Sequence, residues 1–264
     1  MSAGKICTIT AQNSHFCSTL ATLQAQNLSI GYLDRKGTSM AVCENLNLQL
    51  QSGGLTMLAG RNGSGKSSLL RSLAGLQSPL EGTIHINNVD IAGAEPQVVA
   101  AMVSIMFSTP PNLGISTVGD VVLTSMQRNF TPFKTDFTRE WEQVRKSLEM
   151  CGVPEFIDRR FESLSDGEKQ KVMLARSLAQ DTPVLLLDEP LAFLDYPSRR
   201  EMLALLRKLA AEQQKTILYS SHDLDISLGY CDNLLLLRGA GKWKFHDQQE
   251  AISSLKPEAL FMEI

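Results

Sequence analysis

The stretch GLTMLAGRNGSGKSSLLRSL (54–73) constrains this chain more than any other. A short apolar run reads as a buried strand. It feeds GRNGSGKS (60–67), which has the form G-x-x-x-x-G-K-[ST]. A leucine-striped helix follows, with Leu69, Leu70, Leu73 and Leu76 on one face. Strand, glycine-rich turn and helix in that order belong to an α/β layer. In such a turn Gly60, Gly63 and Gly65 let the backbone curl, so that the N–H groups of Arg61, Asn62, Ser64 and their neighbours point inward. The helix start at Ser67 and Ser68 adds partial positive charge. The turn is therefore an expected phosphate cradle. Lys66 is placed to neutralise the β/γ oxygens of a nucleotide, and the Ser67 hydroxyl to ligate Mg²⁺.

The rest of the chain agrees with an α/β fold. Segments 23–32 and 45–50 read as early strands, and 81–91 as a turn-bounded strand near a sheet edge. PVLLLDEP (183–190) and KTILYSSHD (215–223) are apolar runs with polar ends, and 233–245 reads as two strands about a Gly-rich turn. Residues 139–151 and 198–213 have helical spacing. Runs such as 184–187 suit strands buried on both faces of a parallel sheet, and fall well short of a membrane span. Strands alternating with helices predict a mostly parallel sheet, with a mainly helical stretch at about 110–162 inserted into it. Residues 1–20 carry no signal-peptide pattern and read as a poorly ordered leader or the product of a start codon placed too early. Residues 21–255 read as one nucleotide-binding unit and 256–264 as a tail.

With 25 basic and 28 acidic residues the net charge is −3, and no basic block is present, which argues against nucleic acid as a partner. The five cysteines show no metal-type spacing and read as reduced thiols.

A second chemical element lies at 184–189, VLLLDE. The strand end delivers two carboxylates beside the phosphate cradle. Asp188 is expected in the Mg²⁺ shell and Glu189 as the general base that polarises an attacking water. The stretch LSDGEKQ (164–170) is polar, contains Gly167, and precedes a helical pattern, so Ser165 and Asp166 are candidate helix caps.

Taken in order, GRNGSGKS, LSDGEKQ, VLLLDEP, FLD (193–195) and SSHD (220–223) resemble the ATP-binding subunit of ABC transporters, over about residues 22–250. The resemblance implies a P-loop NTPase fold with a RecA-like, mostly parallel core, an antiparallel β part and an inserted helical subdomain. It implies ATP and Mg²⁺ as ligands and a head-to-tail homodimer. In that dimer Leu164, Ser165, Asp166, Gly167 and Glu168 of one copy close over the γ-phosphate held by the other. Asp195 matches an aspartate that links the two sites, and His222 a histidine that contacts the γ-phosphate. Tyr32 fits the aromatic that stacks on adenine, an interaction worth about 1–3 kcal/mol, or is a surface tyrosine packed on the sheet. The physical case for Ser165 and Gly167 is a hydroxyl and an N–H at a helix N-terminus.

Three positions depart from the family's pattern. Asp166 and Glu168 replace Gly and Gln of the common L-S-G-G-Q; as first-turn residues they favour the helix dipole while pointing away from a phosphate. Ser108 stands where the family places a Gln after the strand VSIMF (103–107). Its shorter side chain suits contact through a bridging water. The resemblance is to importers of the iron–siderophore, heme and cobalamin type. It implies an integral-membrane permease as partner, a substrate-binding protein acting through it, and a place in the cytoplasm on the inner face of the membrane. The rival reading is a soluble cassette without a transport role, such as an iron–sulfur assembly ATPase.

Overall fold

The structure is a computed structural model that describes residues 21–33, 39–109, 114–129, 136–239 and 241–249. The expected leader, the tail and parts of the stretch 110–162 lie outside the described residues.

The chain opens with two long strands, β1 (Ala21–Leu33) and β2 (Ser39–Gln51), paired antiparallel. β4 (Glu81–Ile86) joins the other edge of β1, and β5 (Val89–Asp90) pairs with β4. Asn87 and Asn88 between them both have positive φ, 49° and 64°. Asparagine tolerates that region, and two such residues make the tight turn that a two-residue hairpin needs. The segment expected as one strand over 81–91 is therefore a hairpin, with β5 at the sheet edge.

A second sheet has the order β10-β9-β3-β8-β7-β6. β3 (Leu55–Gly60), β6 (Val103–Met106), β7 (Val184–Leu187), β8 (Thr216–Ser220) and β9 (Asn233–Gly239) run parallel. β10 (Lys242–Asp247) closes one edge antiparallel to β9. β3, β7 and β8 are buried at every residue, as largely apolar strands covered on both faces are, with Thr56, Thr216 and Ser220 as buried polar residues among them.

Helix α1 (Lys66–Leu73) lies between the two sheets. Its Leu69, Leu70 and Leu73 share one core with Leu23, Leu28 and Leu48 of the first sheet and Leu58, Leu186 and Leu235 of the second. Leu76 was expected on the same stripe but is exposed. Gly75 takes φ +72° just past the helix end and turns the chain before Leu76 can extend the face. α2 (Pro96–Met102), with proline at its first position, leads into β6.

The opposite face of the second sheet carries the other core. There Met57, Leu185, Leu187, Ile217 and Leu236 pack against α3 (Val118–Leu123), α4 (Thr138–Met150), α5 (Asp166–Ala179) and α6 (Tyr196–Gln213). Along β7, Val184 and Leu186 face one core and Leu185 and Leu187 the other, the two-residue period of a strand. A short α7 (Leu224–Ser227) follows β8. No helix among the described residues is long and apolar enough to cross a membrane.

Candidate nucleotide site

The carboxyl ends of adjacent parallel strands converge on one edge of the second sheet, where open α/β sheets bind ligands. β3 ends at Gly60. A Cβ there would lie 2.6 Å from the Leu237 carbonyl oxygen, so only glycine fits. Gly65 caps α1 in the left-handed region at φ +100°, and an added Cβ would meet Val42 Cγ2 at 2.8 Å. Between them Arg61, Asn62 and Gly63 are exposed while Ser64 is buried. Lys66 is buried, and its Nζ donates to the carbonyl oxygens of Gly60 at 2.9 Å and Arg61 at 3.2 Å. Burial pushes the Lys66 ammonium below its ordinary value; the nearby carboxylates of Glu189 and Asp188 act the other way. The hydrogen-bond partners of this buried cation are neutral carbonyl oxygens, a place that a phosphate oxygen could take.

β7 delivers the two acids. Asp188 is 4% exposed, and its Oδ1 accepts from Ser220 Oγ at 2.8 Å. The same Ser220 oxygen accepts from the Glu189 N–H at 2.8 Å. Glu189 has φ +52°, an uncommon conformation for a residue with a side chain. Its Oε1 lies 2.6 Å from His222 Nε2, two residues past the end of β8. Ser67, half-buried at the head of α1, and Asp188 offer hard oxygen ligands. Among the described residues no group of three His, Cys, Asp or Glu side chains can hold a metal. Two oxygen donors without a protein cage suit Mg²⁺, which is usually held by one or two protein groups plus phosphates.

The LSDGE stretch forms a separate surface. Ser165 is the N-cap of α5 and Leu164 is buried behind it. Ser165 Oγ accepts from the Glu168 N–H at 3.4 Å, and Glu168 Oε2 accepts from Ser165 N at 2.8 Å and Ser165 Oγ at 2.9 Å. This reciprocal capping box turns the Glu168 carboxylate back onto the serine. Hydrogen bonds from the Ser165 backbone and hydroxyl, with a smaller part from Arg159 at 3.2 Å, hold the Glu168 carboxyl below its ordinary value. Gly167 packs under the loop after β7; a Cβ there would approach the Phe193 carbonyl oxygen to 3.1 Å. Ser165, Asp166, Gly167, Glu168, Phe193 and Asp195 line a cavity of about 630 Å³. No hydrogen bond or ion pair among the described residues joins Leu164, Ser165, Asp166, Gly167 or Glu168 to Lys66 or Ser67.

A family model described as ABC transporter matches residues 43–192, more than half of the chain and the span that runs from β2 through both acids. The chain belongs to the ABC transporter family. The Petrobactin import ATP-binding protein FpuD of Bacillus anthracis is 34% identical over 221 residues, which are 82% of this chain and 77% of that one. The Iron(3+)-hydroxamate import ATP-binding protein FhuC of Bacillus subtilis (strain 168) is also 34% identical over 221 residues, 82% of this chain and 79% of that one. The solved structure of cbiO1 from Clostridium perfringens, part of the ABC transporter complex cbiONQ, matches with a TM-score of 0.75 at 26% identity. It covers 92% of this chain and 99% of that one. The architecture is thus that of an ABC ATPase cassette, and the protein is an ATPase of this family.

Within the cassette the remaining expected positions fall as follows. The Tyr32 hydroxyl hydrogen-bonds Ser68 Oγ in the first turn of α1, which leaves the half-exposed ring at the rim of the phosphate loop. Asp195 caps α6, accepting from the Ser198 N–H at 2.9 Å, and hydrogen bonds from Ser198 hold its carboxyl low. Ser108 follows β6, whose last residue Met106 is in register with Leu187 of β7, so it stands beside the acid-bearing strand end. Two polar residues lie in quoted motifs but have no role assigned from the sequence. Ser220 joins Asp188 to Glu189 across the β7–β8 pair. Gln170, 1% exposed, donates from Nε2 to the Glu189 carbonyl oxygen at 2.7 Å. A polar residue at a buried strand end and one on the inner face of α5 were the available signals.

Proposed function

We propose that this ABC ATPase powers an importer for iron complexes such as siderophores or heme, or for cobalamin, and that it works as a head-to-tail homodimer. The observation that carries the enzymatic part is the convergence of Lys66, Asp188, Glu189 and His222 at the ends of adjacent parallel strands, with Glu189 and His222 2.6 Å apart. ATP docks its phosphates on the backbone of 60–67 and on Lys66, with adenine against Tyr32. Ser67 and Asp188 would hold Mg²⁺, which when bound shields the charge on the phosphate oxygens. Glu189 takes a proton from the attacking water, and His222 orients that water and the γ-phosphate. Ser165 and Gly167 of a second copy supply donors from the other side.

The partner is an integral-membrane permease, served in turn by a substrate-binding protein, with the ATPase on the cytoplasmic face of the membrane. The mainly helical region at about 110–162 carries the closing motion to it. A cavity of about 730 Å³ runs along β6 and α2, lined by Leu76, Ile91, Pro96, Val99 and Phe107 among others, and offers a mixed apolar and polar seat on the side of the edge strand that leads to Ser108. The cargo assignment rests on the named relatives, whose printed roles are petrobactin and iron(3+)-hydroxamate import. These favour transport over a soluble cassette.

The test is to tag the chain, extract membranes in mild detergent and identify co-purifying proteins by mass spectrometry. A polytopic permease in stoichiometric amount is expected, and uptake of a labelled ferric siderophore then depends on the pair. Recovery from the soluble fraction alone, with assembly proteins, would overturn the transport reading.

A further inference from the structure

Glu189 is held by its backbone as well as by His222. Its φ of +52° is disfavoured for a residue with a Cβ, so neighbours must fix it. Its N–H donates to Ser220 Oγ, and its carbonyl oxygen accepts from Gln170 Nε2 at 2.7 Å and from the Ala192 N–H at 3.1 Å. Gln170 lies one turn into α5, the helix whose start carries Ser165 and Gly167. Gly167 in turn packs on the Phe193 carbonyl oxygen, four residues beyond Glu189. The start of α5 thus grips segment 189–193 at two points. We propose that Gln170 is a positioning residue for the hydrolytic reaction: it fixes the turn at Glu189 and ties the aim of that carboxylate to the position of α5 in the same chain. A buried side-chain amide needs hydrogen-bond partners, and the partner of the Gln170 donor is the backbone of the base. A phosphate that draws on Ser165 and Gly167 pulls on the helix that holds Glu189, so each copy's base responds to what its own α5 has bound.

The inference rests on Glu189 being the general base. Gln170→Met in the full-length chain keeps the length of the side chain and removes the donor. Misplacing a reacting group by a fraction of an ångström lowers kcat by roughly tenfold to a hundredfold, while KM for ATP and the affinity for ADP stay at wild-type values. Gln170→Glu, which puts an acceptor against the carbonyl, is expected to be at least as slow. Adding Gln170→Met to Glu189→Gln should cost nothing further, because the two act through one group. Unchanged kcat in a folded Gln170→Met protein overturns the proposal. So does a loss of kcat matched by equal loss of ADP binding and a lower Tm in both variants, which marks a purely structural side chain. Full turnover by Glu189→Gln alone would instead refute the base assignment beneath it.

Discussion

At the scale of single residues the site depends on two buried groups with opposite needs. Lys66 is desolvated and leans on carbonyl oxygens, so its charge is better satisfied with phosphate bound than without. Lys66→Ala should raise the Kd for ATP by at least tenfold and leave Tm without nucleotide within a few degrees, measured by fluorescent-nucleotide titration and calorimetry; a hydrogen bond to a charged group is worth about 1.5–3 kcal/mol. Ser220 is the reverse case. Its hydroxyl is donor to Asp188 and acceptor for Glu189. Ser220→Ala leaves two polar groups unpaired, so it should destabilise the chain by about 1–3 kcal/mol in urea unfolding and slow turnover. What was legible here follows distance along the chain. Lys66, Ser67, Asp188 and Glu189 sit in contiguous motifs. Ser220 and Gln170 do their work across 31 and 19 residues of separation, and strand register or helix phase decides such contacts.

At the scale of elements, the start of α5 shows where local pattern suffices and where it does not. Of the two candidate caps, Ser165 is the N-cap and Asp166 the first residue of the helix, and the structure adds a reciprocal capping box with Glu168. The expectation that Glu168 points away from an incoming phosphate is a different matter, because the carboxylate folds back onto the Ser165 hydroxyl that resemblance makes a phosphate donor. In the proposed head-to-tail dimer, closure would exchange that contact. Glu168→Gln keeps a capping group without the charge, and should strengthen ATP-driven association measured by sedimentation in a Glu189→Gln background. The cap also has a pH signature. Its hydrogen bonds and Arg159 lower the carboxyl below the ordinary 4.5, so the folded state binds fewer protons than the unfolded one just under that pH. The stability it adds is present above about pH 4.5 and is lost as pH falls through the lower folded value. The gap in unfolding midpoint between wild type and Glu168→Ala should therefore narrow in acid. The same limits explain the hairpin at β4–β5 and the exposed Leu76: alternation and leucine spacing ran on, while Asn87, Asn88 and Gly75 turned the chain.

At the scale of the whole molecule, the second sheet divides two cores and presents its strand ends on one side, and among the described residues the LSDGE surface shares no hydrogen bond with the phosphate loop. Order of motifs along the chain made the fold class readable; which surfaces meet is given only as what the resemblance implies, since a contact between copies leaves no periodicity in one sequence. If the reaction needs both surfaces, and they come from different copies, then the two lesions Lys66→Ala and Gly167→Asp should complement. A homodimer of either variant has two broken sites. A mixed dimer has one site with both lesions and one with neither. Mixing equal amounts of the two inactive proteins should restore about a quarter of wild-type ATPase activity, from half the dimers each with one intact site of two. A chain carrying both substitutions, mixed with wild type, spoils both sites of every mixed dimer and should give the same quarter from wild-type homodimers alone. No recovery on mixing the single variants, with both proteins folded and binding ADP as expected for their lesions, would place the two surfaces in one chain's site and refute the head-to-tail arrangement.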